Sequence, residues 1–187
     1  MTATRHPVPG QARISVPDRL WAHEEIRQLA CRYAEAVDSR DVPALVTLFV
    51  EDVQVGRDKL GREALAAWFD RVLRTFSVSI HFIGNHRITL EDADRATGVV
   101  YCRAEHEVAG DWVVMMIQYW DTYERVGGQW YFRRRREKVW YGAGRHDNPA
   151  GELKNRWPGR APAEAALPRE WPSWNQFWDA EREPMEA

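Results

Sequence analysis

An aspartate, a phenol and two imidazoles are spaced along this chain so that one fold can bring them into a small pocket. Tyr33 and Asp38 lie at the end of an amphipathic segment, and His81 and His106 fall on two later strand-like segments. Such a set can take a proton from carbon and deliver another to a departing oxygen without a cofactor. A histidine held by an adjacent carboxylate keeps one tautomer and gains basicity. Asp38 paired with His81 or His106 would therefore abstract an acidic proton beside a carbonyl, and the imidazolium or Tyr33 would protonate a departing hydroxyl. Dehydration of a β-hydroxy carbonyl compound and isomerisation of a dienone precursor use nearly the same machinery.

The elements that must position these residues follow from hydrophobic periodicity. Residues 1–16 carry Pro and Gly without a period and read as a flexible arm. From Pro17, with Asp18 as expected cap, Ala22, Ile26, Leu29, Ala30, Tyr33 and Val37 recur at helical spacing, and the helix ends near Asp38. Asp41 and Pro43 start a short helix, Val53 to Gly56 is a short strand or turn, and a helix is expected from Arg62 to Phe76 with Leu65, Trp68, Phe69 and Val72 on its apolar face. The period then becomes two. Strands are expected at Ser79 to Leu90, Ala96 to Val108, Trp112 to Arg125 and Gln129 to Trp140. Helices followed by an antiparallel meander make an α+β fold whose sheet must curl around the helices, leaving a cone with one open end. That domain spans 17–144. A C-terminal extension, 145–187, carries Trp157, Trp171, Trp174 and Trp178 and one helix near Ser173 to Arg182. Its aromatic cluster either packs on a neighbouring subunit or the sheet exterior, the favoured reading, or covers the open end of the cone.

Strand parity narrows the candidates. Val100, Cys102, Ala104 and His106 share a face of small apolar neighbours, where a core histidine bonded to backbone is the alternative to a catalytic one. His81 and His86 stand an odd number apart, so regular alternation sends them to opposite faces and only one can meet the pocket. Parity alone does not choose between them. Asp38 could also be a solvated helix end, and Tyr33 a packing residue with its hydroxyl on some partner.

The ordered set Tyr33-Ala-Glu-Ala-Val-Asp38-Ser-Arg-Asp41, Leu48-Phe49 with Asp52, His81-Phe-Ile-Gly-Asn-His86 and then His106 resembles the SnoaL-like branch of the NTF2-like, or cone-fold, superfamily, and within it the scytalone dehydratases and bile acid 7α-dehydratases. The resemblance covers about Pro17 to Tyr141. It implies an NTF2-like cone with three N-terminal helices in a curled sheet, and catalytic roles for Asp38, His81, His106 and Tyr33. Val37 stands where scytalone dehydratases carry a second tyrosine. Phe49, Trp68, Phe69, Asn85, Met116 and Trp140 are the expected substrate-binding residues. The implied activity is that of a cofactor-independent dehydratase acting on an apolar cyclic, polyketide- or steroid-like hydroxy-carbonyl compound. An isomerase or cyclase with the same relay, or a non-catalytic accessory subunit, are the alternatives.

Composition agrees with that class. A net charge of -2 offers no general attraction to nucleic acid or anionic membrane. The basic run Arg133 to Arg136 is divided by alternation between two faces, and the sequence carries no phosphate loop, dinucleotide fingerprint, zinc-protease helix or serine elbow. Neither cofactor nor metal is expected. With no signal-like stretch and no bilayer-length apolar run, a cytoplasmic protein is expected. Cys31 and Cys102 read as small buried hydrophobes. Trp112 and Trp120 share one face of their strand while Met115, Ile117 and Tyr119 share the other, so both faces need covering, and a homodimer or homotrimer follows.

Overall fold

The computed structural model describes residues 14–147, 153–170 and 172–179, so most of the N-terminal arm and the side chains of Trp171, Phe177 and Trp178 lie outside the described residues. The elements run α1 (Val16–Asp38), α2 (Val42–Thr47), β1 (Gln54–Val55), β2 (Lys59–Leu60), α3 (Arg62–Leu73), β3 (Val78–Leu90), β4 (Arg95–Val108), β5 (Asp111–Val126), β6 (Gln129–Gly144) and α4 (Pro172–Asp179). It is the expected α+β cone: three helices on the concave side of an antiparallel meander in the order β3-β4-β5-β6.

Local chemistry sets the helix ends. Ser15, not Asp18, caps α1: its Oγ accepts from the Asp18 backbone N at 3.2 Å, and Asp18 sits in the first turn, where a carboxylate complements the helix dipole. Asp41 caps α2, accepting from the Ala44 backbone N at 2.9 Å. α3 stops at Leu73, short of the expected Phe76, and β1 pairs with β2, a partner strand the sequence did not suggest. Ile26, Leu29 and Leu45 pack among Val100, Ile117 and Phe132, all nearly inaccessible. Cys102 belongs to this core, whereas Cys31 is exposed, against expectation, because it falls beside the α1 stripe of Ile26, Leu29, Ala30 and Tyr33.

Three bulges help to bend the sheet into a cone: at Ile83/His86 between β3 and β4, and at Met116/Ile117 and Thr122/Tyr123 between β5 and β6. Gly98 allows the close packing inside, since a Cβ there would meet Tyr123 Cε2 at 2.9 Å. The free edge of β6 is covered twice. Val50 N donates to Phe132 O at 3.1 Å near one end, and Gly142 N donates to Lys154 O at 2.9 Å near the other. The C-terminal extension thus runs along this edge and protects its backbone groups. Among the described residues no helix is long and apolar enough to cross a membrane.

Candidate active site

Asp38 ends α1 against β3. Its Oδ1 lies 2.7 Å from His81 Nδ1 and accepts from Ser79 Oγ at 3.0 Å, while Oδ2 accepts from the His81 backbone N at 2.8 Å. Ser79 is oriented in turn by Arg40, whose Nη1 donates to Ser79 Oγ at 2.6 Å and to Val37 O at 2.8 Å. Arg40 adopts a left-handed φ of 62°, a conformation that costs a non-glycine residue roughly 1 kcal/mol and is held here by these bonds. Burial opposes the charge on Asp38, but the hydrogen bonds from His81 and Ser79 together outweigh it and hold the carboxyl below its ordinary range. An ionised Asp38 accepts the Nδ1 proton, so the neutral His81 keeps its Nε2 lone pair, and Nε2 has no partner among the described residues.

His81 opens on a cavity of about 240 Å³ whose wall includes Tyr33, Trp68, Phe69, His106, Met115 and Tyr119. His106 does not reach Asp38. Its ring stands perpendicular to that of His81 at 5.6 Å and packs on Phe76 and Trp157. Burial, then the neighbouring His81, pushes its pKa down to about 4, so it is neutral near pH 7 and serves as a weak base at most. Tyr33 is buried, which pushes its pKa up to about 12 against the opposing charge of Arg135, and its hydroxyl has no protein partner among the described residues.

The expected placement of His81 and His86 on opposite faces does not hold, although of the two only His81 lines the cavity. Between Ile83 and His86 two residues of β3, Gly84 and Asn85, oppose the single Tyr101 of β4, and this bulge resets the alternation so that both histidines face inward. His86 Nε2 lies 3.0 Å from Tyr123 Oη, which donates to Asp121 Oδ2 at 2.8 Å; Asp121 is clamped bidentately by Arg135 at 2.9 and 2.7 Å. The Arg135 guanidinium is packed on the rings of Tyr33, Tyr119 and Phe132 at 4.1 to 4.2 Å. This network underlies the floor of the cavity.

Of the expected substrate-binding residues, Trp68 and Phe69 line the cavity. Phe49 sits behind it, packed on Tyr33 and Phe69. Asn85 is turned to the outer surface by the β3 bulge, beside Tyr101 and Trp120. Met116 faces outward in β5, and Met115 takes its place in the wall. Trp140 is the extra residue of the Met116/Ile117 bulge and is not part of the wall, which β6 supplies through Glu137 and Val139. The extension adds Asn155, Trp157 and Arg160. Strand parity from Val139 would have found Glu137; nothing in the periodicity signals Trp157. A larger groove of about 470 Å³, lined by Arg32, Glu35, Asp41 and Arg62, holds no histidine and lies away from this chemistry. Among the described residues no three His, Cys, Asp or Glu side chains are grouped to hold a metal.

A sequence model of the SnoaL-like domain matches residues 18–136. An uncharacterised protein of Mycobacterium tuberculosis is 30% identical over 130 residues, covering 65% of this chain and 85% of its own length. A scytalone dehydratase-like protein of Novosphingobium aromaticivorans superposes with a TM-score of 0.62 at 24% identity, covering 79% of this chain and 99% of the other. A hexachlorocyclohexane dehydrochlorinase of Novosphingobium barchaimii superposes with a TM-score of 0.64 at 22% identity, covering 71% and 95%.

Proposed function

Because the chain belongs to the SnoaL-like family of the NTF2-like superfamily, we propose that it is a cofactor-independent lyase that removes water from a small cyclic β-hydroxy ketone. The observation that carries this reading is the 2.7 Å contact of Asp38 with His81, whose ring lines the wall of an open cavity. His81 Nε2 takes the proton beside the carbonyl, Asp38 stabilises the imidazolium so formed, and the electrons of the broken C–H bond pass into an enolate. The unpartnered hydroxyl of Tyr33 is the donor available to the enolate oxygen. The enolate then expels the β-hydroxyl, which takes up one proton to leave as water, and the α-proton held on His81 balances the proton so consumed. His106 serves as a neutral hydrogen-bonding wall residue.

The names of two structural relatives, a dehydratase and a dehydrochlorinase, both describe eliminations and support this class. A non-catalytic accessory role is disfavoured because a cavity lined by His81 opens beside the packed core of the cone. The volume of about 240 Å³ lies below the ordinary range for drug-sized ligands, about 300–1,000 Å³. A one- or two-ring substrate therefore fits the site better than a steroid.

The test is a panel of cyclic β-hydroxy ketones followed by absorbance for a new conjugated enone, with deuterium wash-in at the α-carbon as a second readout. Turnover lost in Asp38→Asn supports the reading. Absence of both turnover and α-exchange across the panel would move the assignment to a binding domain.

A further inference from the structure

Glu137 projects from β6 on the concave face, in register with Tyr119, and is the single carboxylate among the described residues lining the cavity. Among the described residues no hydrogen bond or ion pair engages its side chain. Asp38 and His81 approach from the β3 side, at the opposite edge of the four-stranded sheet. Curling of the sheet therefore sets two separate proton-carrying groups on facing walls of one cavity.

We propose that Glu137 is a catalytic residue, the acid that protonates the leaving oxygen after His81 has taken the α-proton. The assignment rests on the elimination proposed above and adds the group that reading leaves open. As the C–O bond breaks, its electrons go to oxygen, the Glu137 proton joins that oxygen to form water, and the enolate electrons form the C=C bond. Glu137 is left as carboxylate and His81 as imidazolium, and transfer of the proton from His81 to Glu137 resets the site. The net change is loss of one water with no oxidant or metal.

Glu137 is itself open to solvent, as a group that meets substrate in an open cavity must be. The protein atoms crowded around the cavity raise its pKa through desolvation, with the charge of His81 opposing. The other titratable groups on the wall are Tyr33 of α1, His106 of β4, Tyr119 of β5 and Arg160 of the extension, with Arg135 two positions along β6. Burial pushes the Tyr33 pKa up to about 12 and raises that of Tyr119 as well, and His106 is neutral near pH 7, so none of these three is a ready proton donor.

The experiment has two arms. Isotope-edited infrared difference spectra of the unliganded protein, wild type against Glu137→Gln, should show a neutral carboxyl persisting above ~4.3, the ordinary glutamate pKa; ionisation at or below that value overturns the proposal. The second arm compares deuterium exchange into cyclohexanone with dehydration of β-hydroxycyclohexanone. Glu137→Gln should lower dehydration by about 10²-fold or more, the scale of a lost general acid, and leave exchange within roughly threefold. Acetic acid should restore part of the dehydration in Glu137→Ala. Equal loss of both reactions, or undiminished dehydration in Glu137→Gln, overturns the acid role. Wild-type protein that exchanges no α-proton strikes instead at the proposed function, and the acid role falls with it.

Discussion

His81 Nδ1 lies 2.7 Å from Asp38 Oδ1, and the same carboxylate accepts the His81 backbone N–H at 2.8 Å. One side chain thereby fixes both the position of the β3 backbone and the tautomer of the imidazole it carries. Asn at 38 can still accept from the backbone N–H and from Ser79, so Asp38→Asn should fold. It should lower turnover and α-proton exchange by about 10²-fold or more, because the imidazolium loses its counter-charge. Unchanged rates with a competent substrate would remove the dyad from the mechanism.

Acid should weaken the fold through two histidines. Burial is the first cause of the low pKa of His86 and of His106, each about 4. An unfolded histidine has a pKa near 6.5, so as pH falls from about 6.5 to 4 the unfolded chain takes up protons that the native state refuses. Stability is full above that window and declines through it, by at most roughly 3 kcal/mol per histidine. Asp38, whose folded pKa is lowered, acts in the same direction only below about pH 4. Denaturant midpoints between pH 7 and 4.5 should flatten in a His86→Gln/His106→Gln variant; a wild-type midpoint independent of pH would refute this.

Asp121 and Arg135 form a bidentate pair with side chains 0% and 5% accessible. Asp121→Ala leaves a buried guanidinium among three aromatic rings and should cost about 3–5 kcal/mol, seen as a large fall in the thermal midpoint. The double replacement Asp121→Leu/Arg135→Met should be less damaging than Asp121→Ala. A harmless Asp121→Ala would show that the pair is not a determinant of stability.

Trp157 reaches from the extension to pack on His106 at 5.3 Å and Phe76 at 6.3 Å between ring centres. Trp157→Ala should therefore widen the cavity mouth and raise KM about tenfold, equivalent to roughly 1.4 kcal/mol, with little change in thermal midpoint. A change in kcat alone would argue against a covering role.

On the outer face of β3, Val78, Ile80 and Phe82 are 37%, 50% and 71% exposed in the single chain. The homo-oligomer inferred from the two-faced strands would cover this row with a second copy. Light scattering at micromolar concentration should then report more than one subunit, and Phe82→Glu should reduce the assembly. A wild-type monomer would end this proposal.

Hydrophobic period, with the cap residues, determined the order of α1 to α3 and of the four sheet strands β3 to β6, because each of these elements must bury one face and the spacing of its apolar residues records which face that is. The same logic placed Tyr33 on the inner stripe of α1 and His106 on the inner face of β4. Pairing decided the rest. The bulge at Gly84 and Asn85 exists only against Tyr101 of β4, so no pattern within β3 could show that His81 and His86 share a side or that Asn85 is turned out. Likewise Trp140 is displaced by a bulge defined by β5. The choice of His81 over His106 as partner of Asp38, and the meeting of Glu137 and Trp157 at one cavity, depend on how far the sheet curls. That curvature is a sum of twists and bulges over four strands, a long-range property that local residue spacing does not encode.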